Sequence, residues 1–251
     1  MQTDSMRGNA RGRVMVKVGG DFACFSRPEF KVERVSYDVI TPSAARGLLE
    51  AIFWRPEFRY EVREIQILKP VRQIAVMRNE ISERQGNTPI VVEERRQQRT
   101  SLILKDVEYL ICADMVLQEH ATDPVLKYTA QFNRRIEKGQ CFQAPYLGTR
   151  EFVAWFEPPS GEERPIVDSR ELGTMLFDMA FVADDERREL QYVSHGAAGA
   201  RILWGYTEAL FFQAKLDNGI LKVPYSKYEE LYRREGKNAQ GSSESGRGTY
   251  G

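Results

Sequence analysis

Twice in this chain a run of alternating apolar residues gives way to a polar residue followed by proline, at Thr41-Pro42 and at Asp123-Pro124. That pair starts helices: the side chain before the proline can cap the first turn, and the proline removes an N–H that has no intrahelical acceptor anyway. After Thr41, Leu48, Leu49, Ile52 and Phe53 recur at helical spacing until Pro56 stops the run. After Asp123, the residues Val125, Tyr128, Phe132 and Ile136 do the same, the helix runs to Lys138, and Gly139 closes it. Strand-like alternation surrounds both helices. "GRVMVKVGG" places Val14, Val16 and Val18 on one face, and "RYEVREIQILKP" carries Tyr60 and Val62, then Ile65 and Ile67 after a one-residue shift that marks a bulge. "TSLILKDVEYLICADMVL" and "TREFVAWFE" complete the set. Strand, helix, strand, strand, helix, strand predicts an α+β chain with a ferredoxin-like (RRM-like) first domain, an antiparallel sheet with two helices on one face.

The stretch from Lys69 to Thr100 is too long for a turn and holds Arg72, Arg78, Arg84, Arg95, Arg96 and Arg99, which predicts a basic hairpin standing off the sheet, with Arg78 a candidate RNA contact. "PPSGEERP", Pro158 to Pro165, clusters proline, glycine and charge without apolar period and reads as a linker. Beyond it "LGTMLFDMAFV" and "ALFFQAKLDNGILKV" read as strands, with Asn218-Gly219 a hairpin turn. The expected organisation is a first domain over 1–158, a smaller β-rich domain over 166–235, and a disordered tail over 236–251.

Net charge is zero, with 36 basic and 36 acidic residues, but the signs are segregated. Arg7 to Arg34 holds seven basic and three acidic residues, Lys127 to Arg150 five and one, and Glu151 to Glu189 four and eleven. Such a distribution offers a polyanion one part of the surface and denies it another. Cys24, Cys112 and Cys141 are odd in number and outside any CxxC spacing, which argues for buried, reduced thiols and against a disulfide framework or zinc site. No apolar run approaches the ~20 residues of a membrane span, and the start "MQTDSMRGNARGR" lacks a signal-peptide core. A cytoplasmic protein without membrane contact is expected. The two histidines, His120 and His195, have no neighbour at metal-ligand spacing, and the tail glycines of "GRGTYG" follow no strand, so neither metal nor cofactor is expected.

"KYTAQFNRRIEKGQCFQAPYLG", Lys127 to Gly148, is where binding chemistry concentrates. Beside its apolar stripe the second helix carries Lys127, Gln131, Arg134 and Lys138 at offsets of four, seven and eleven, with Arg135 adjacent. The loop behind it places Phe142 and Tyr146 where bases could stack while cations hold phosphates. The RNA-binding candidates are therefore Arg134, Arg135, Lys138, Phe142, Tyr146 and Arg78.

At "YDVITPSAARGLLEAIFWRPEF", "VREIQILKPVRQIAVMRNEI" and "FNRRIEKGQCFQAPYLGTREF" the chain resembles the CRISPR-associated pre-crRNA endoribonucleases of the type I-C (Dvulg) system, the d branch of the fifth Cas family, from about Gly19 to the "ILWGY" segment ending at Tyr206. The resemblance implies a protein that cuts CRISPR repeat RNA and stays on the 5′ handle of the crRNA. It also implies a surveillance complex with backbone and large subunits, which brings the protein to target DNA. The implied chemistry is transesterification, in which a ribose 2′-OH attacks the adjacent phosphorus without a metal ion. In that family a tyrosine on the first helix and a Lys-His pair opening the second are linked to cleavage, and the matching positions here are Phe53 and Lys127-Tyr128. Lys127 can neutralise the phosphorane. Tyr128 either orients the 2′-OH or belongs to the core, and Phe53 is either a stacking platform or helix core. His120 would replace the missing imidazole if its loop folds toward Lys127. These departures keep a second function open, a non-catalytic cap on the crRNA 5′ handle.

Overall fold

The computed structural model describes residues 10–30, 33–81, 86, 89, 91, 93 and 95–236. The tail from 237 onward, the first nine residues and Arg84 lie outside them, so the expected disordered tail falls beyond the description. Among the described residues the chain is α+β, with a ten-stranded sheet and three helices.

Strand β1 (Arg11–Ala23) runs antiparallel to β5 (Arg96–Leu117), and β5 runs antiparallel to β3 (Phe58–Ile67). The short β6 (Trp155–Glu157) completes the edge beside β1. "TREFVAWFE" is thus a strand only at its end. The remainder turns at Gly148, whose φ is +86° and where a Cβ would stand 2.0 Å from the Cys24 carbonyl oxygen, so only glycine fits. The register of β3 slips between Val62 and Glu64, the bulge foreseen from its alternation.

Helix α1 (Pro42–Ile52) begins as its sequence predicts: Thr41 Oγ1 accepts from the Ala44 N–H at 3.2 Å. The start of α2 (Val125–Glu137) differs from expectation. Pro124 is the cap residue, without a side-chain capping bond, and the Asp123 carboxylate instead pairs with Lys127 Nζ at 2.7 Å. The apolar stripe of α2 is buried as its spacing requires, and a Cβ on Gly12 of β1 would collide with Thr129 and Val125, so helix and strand lie in direct contact.

Between β3 and β5, β4 (Gln73–Ile81) pairs with the first part of β5, from Gln73 opposite Leu104 to Ile81 opposite Arg96. This is the predicted hairpin. A two-residue β2 (Arg34–Val35) runs parallel to β5 beside it.

Past the Pro158–Pro165 loop come β7 (Arg170–Ala183), β8 (Leu190–Gly196), β9 (Gly199–Asp217) and β10 (Ile220–Lys222). Asn218 and Gly219 both take positive φ, 49° and 74°, as a tight hairpin turn requires. β10 pairs with β3 as well as β9, giving the order β6-β1-β5-β3-β10-β9-β7. The chain then forms α3 (Tyr225–Arg234), where the sequence reading held only strands. Its buried face is Tyr228, Leu231 and Tyr232, and Tyr228 donates to the Val62 carbonyl.

Charge segregation along the sequence does not survive folding around β1. Successive residues of a strand alternate between faces, so Arg11, Arg13 and Lys17 point away from the valine face. Arg11 binds Glu61, Arg13 binds Asp114, and Lys17 binds Glu108 and Glu157. These cations hold strands together rather than facing a polyanion. Of the cysteines, Cys24 and Cys112 are buried as expected, whereas Cys141 is exposed in the loop after α2. No helix among the described residues is long and apolar enough to cross a membrane.

The two halves of the chain are tied by Arg46 of α1, which donates from Nε and Nη2 to both oxygens of Asp178 in β7 at 2.7 and 2.8 Å. Burial pulls the Arg46 pKa down, but Asp178 and Glu50 outweigh it, and the guanidinium stays charged. Asp178 is 3% exposed and Arg46 half-buried, so Asp178→Ala strips a partly desolvated cation of its main partner. We expect a loss of about 3 kcal/mol in urea unfolding. The double variant Arg46→Met/Asp178→Ala should recover much of it, and failure to recover would mean that the pair does more than satisfy its own charges.

Candidate active site

The C-terminus of α1 is the anchor. Phe53 ends the helix in an extended conformation, and its carbonyl accepts from the Tyr60 hydroxyl at 2.7 Å. Arg135 of α2 donates to the Ile52 carbonyl at 3.0 Å with its guanidinium 5.1 Å over the Phe53 ring. The backbone N–H groups of Phe142 and Gln143 reach the Ala51 carbonyl. α2 and the loop behind it therefore satisfy carbonyls that a helix end leaves open. The next turn of chain is held too, since the Gln118 N–H donates to the Glu57 carbonyl at 2.8 Å and joins the α1–β3 loop to the β5–α2 loop.

Aromatic rings fill the space between. Phe58 lies 5.4 Å from Phe53, 5.3 Å from Tyr128 and 5.3 Å from Tyr60, and Tyr60 lies 6.0 Å from Phe132. Phe53 is 1% exposed and Tyr128 5%, so both family-matched positions belong to the core. No base can stack on a ring that closed off, which corrects the platform reading of Phe53. Burial raises the Tyr128 pKa above its ordinary value, with the charges of Glu57 and Asp123 adding to the effect, so the phenol stays protonated at neutral pH.

Lys127 lies one residue round the helix and projects to solvent, its side chain 61% exposed. Its bond to Asp123 is a surface pair worth about 0–1 kcal/mol, an interaction that an incoming phosphate can displace. Arg134 and Lys138 are exposed on the same helix, and neither makes a side-chain ion pair with a described residue. In the loop after α2, Phe142 is 76% exposed and Tyr146 37%. Arg135 does not join the exposed cations, being spent on Ile52 and Phe53. Arg78 is likewise occupied: it donates to Ser101 Oγ at 2.9 Å and pairs with Glu80 at 2.8 Å.

A concavity beside the α1–β3 loop was not foreseen. A cleft of ≈ 320 Å³ opens between the α1–β3 loop, β7, β8 and α3, with Trp54, Arg59 and His195 among its walls. A second space of ≈ 300 Å³ shares Arg59, Gln118, His195 and Tyr232 with it and adds His120. Trp54, 43% exposed, offers the flat apolar face that its buried neighbour Phe53 cannot. A flag in the sequence existed only for the histidines, as the chain's two imidazoles. Trp54 and Arg59 have no spacing that sets them apart.

The molecule is thus an α+β protein with a solvent-exposed basic face on α2 and a polar cleft beside the α1–β3 loop. The chain belongs to the CRISPR-associated Cas5 family: the family model Cas_Cas5d, described as CRISPR-associated protein (Cas_Cas5), matches residues 14–224. It is 58% identical over 230 residues, covering 92% of this chain and 99% of the relative, to a Thermus thermophilus protein named CRISPR pre-crRNA endoribonuclease Cas5d. A Mannheimia succiniciproducens protein of the same name is 38% identical over 244 residues, covering 88% and 99%. A crystal structure of a CRISPR-associated protein shares the fold, with a TM-score of 0.58 at 23% identity over 86% of this chain and 94% of that one.

The two buried rings separate packing from chemistry. Phe53→Ala should cost about 3–5 kcal/mol of stability, the usual range for emptying a buried aromatic site. Tyr128→Phe keeps the ring and should change stability by less than about 1 kcal/mol. Thermal melts of both variants check this, and a large loss in Tyr128→Phe would reveal a buried partner for the hydroxyl.

Proposed function

We propose that this protein is a pre-crRNA endoribonuclease that cleaves CRISPR repeat RNA and remains on the 5′ handle of its product as a subunit of a type I-C surveillance complex. The observation that carries the reading is the 58% identity, over nearly the full length of both chains, to a relative named for that activity. The protein works in the cytoplasm, where backbone and large subunits assemble with the crRNA and bring it to target DNA. The strand order β6-β1-β5-β3, with α1 and α2 between its strands in sequence, supports a ferredoxin-like first domain over 1–158, and the Pro158–Pro165 loop supports a smaller domain over 166–235.

Cleavage by transesterification asks three things of the protein: in-line alignment of the 2′-OH, movement of a proton, and stabilisation of charge on phosphate. It needs no metal ion or cofactor, because the nucleophile is already part of the substrate. Lys127 supplies charge stabilisation. Arg134 and Lys138 hold the backbone, with Phe142 and Tyr146 as stacking surfaces. Cutting of cognate repeat RNA should therefore persist in EDTA and vanish when the ribose before the cut is 2′-deoxy. Lys127→Ala should slow single-turnover cutting about 100-fold, since an ammonium beside the phosphorane meets more charge in the transition state than in bound RNA.

Binding should weaken steeply between low and moderate salt, as phosphate contacts release counterions. Arg134→Ala and Lys138→Ala should each lower affinity more than the rate at saturation, and filter binding at two salt concentrations measures both effects. A flat salt response would remove this helix from the interface. A second reading, a 5′-handle cap that does not cut, is favoured by the absence of a hydroxyl at Phe53 and by the buried, neutral Tyr128. Tight binding of intact repeat RNA without any product would establish it.

A further inference from the structure

We infer that His195, at the tip of the β8–β9 hairpin, is a catalytic residue that works as a pair with His120, one imidazole taking the 2′-OH proton and the other giving a proton to the departing 5′ oxygen. The inference rests on the endoribonuclease reading and says where its proton chemistry resides.

The two histidines are 75 positions apart in sequence, yet they line one space of ≈ 300 Å³ from two different elements, the β5–α2 loop and the β8–β9 hairpin. The hairpin is built for close approach. Gly196 pairs with Gly199, whose φ is +92°, around an Ala197-Ala198 turn, and this small uncharged tip itself lines the space. His195 lies exposed, its ring 5.5 Å from Trp54 at an interplanar angle of 61°, an edge-to-face contact that orients the imidazole beside the α1–β3 loop. His120 is partly buried, and its Nε2 is buried with no hydrogen-bond partner in the protein. A buried imidazole nitrogen left open is costly, and it persists where a ligand completes it.

Chemistry selects this pair over its neighbours. In-line attack places the nucleophile and the leaving oxygen on opposite sides of phosphorus, so a base on one side and an acid on the other serve it best, and two imidazoles carried by different elements suit that arrangement. Around the cleft Arg46 is held by Asp178 and Glu50, and Arg59 pairs with Glu235. Tyr228 and Tyr232 are pushed up by burial and remain phenols. Imidazole is the side chain whose ordinary titration falls near neutral pH. The step balances: the O2′–P bond forms as the 2′-OH proton passes to a neutral imidazole, the P–O5′ bond breaks, and an imidazolium protonates O5′. The products are a 2′,3′-cyclic phosphate and a 5′-OH, with one imidazole left charged and the other neutral.

The test uses the full chain and a cognate repeat RNA in single-turnover cutting, with affinity measured alongside. His195→Ala and His120→Ala should each slow cutting at least about 100-fold while binding RNA nearly as tightly as the parent. His195→Asn, which preserves a polar side chain at the tip, should be equally slow. A substrate with sulfur in place of the 5′ bridging oxygen needs no acid, because a thiolate leaves unaided. It should restore the parent's rate in one of the two alanine variants and not the other, an asymmetry that a merely structural histidine cannot produce. Cutting by His195→Ala within about threefold of the parent overturns the pair, as does sulfur rescue of both variants or neither. A parent protein that binds and never cuts overturns the endoribonuclease reading itself and the pair with it.

Discussion

A single buried carboxylate organises the molecule. Glu61 sits in β3 with no exposure, and an ionised carboxylate there is tolerable only if its oxygens are fully engaged. Arg11 of β1, Arg63 at the bulge of β3, and the Tyr232 hydroxyl of α3 all donate to it. The bulge matters because it brings Arg63 to where it reaches both Glu61 and Asp114, which in turn receives Arg13. Five charged residues on β1, β3 and β5 thus become a scaffold against which α3 is fixed. Since Tyr232 lines both clefts, the walls that hold His195 and Trp54 depend on this node rather than on apolar packing alone.

The part of this fold that was legible in the sequence is the part set by local rules. Thr41-Pro42, the valine alternation of β1, the shift within β3 and the Asn218-Gly219 turn each state a backbone preference within a few residues, and each is found in place. α3 escaped because "YSKYEELYRR" hides its apolar stripe in tyrosines, whose rings pack while their hydroxyls find Val62 and Glu61. Asp123 misled for a related reason: a carboxylate before proline can cap a helix, but a lysine four residues on offers a charged partner instead. The Arg46–Asp178 bond spans 132 positions, and no local signal announces it.

Cation counts along the chain were the weaker guide to the site. Arg11, Arg13 and Lys17 lie in a basic segment and are consumed by carboxylates on neighbouring strands. Arg135 and Arg78 sit among candidate contacts and are consumed by a helix end and by a hairpin. What survives on the surface, Lys127, Arg134 and Lys138, belongs to one face of α2, where spacing alone had separated a solvent stripe from the buried one. Periodicity thus located the cations that remain available, whereas density overcounted them.

Burial explains why the rings at positions 53 and 128 serve packing. Phe53 and Tyr128 both pack on the ring of Phe58, which in turn meets Tyr60, and there volume and shape decide the fit while a hydroxyl with no partner is a burden. One residue away at either place the chain turns outward, to Trp54 just after Phe53 and to Lys127 just before Tyr128. The same aromatic cluster that shuts Phe53 and Tyr128 away from solvent therefore sets the positions of two exposed neighbours. In the proposed pairing, proton transfer comes from outside the cluster, from His120 in the β5–α2 loop and His195 in β8, which line one space together with Tyr232 of the Glu61 node.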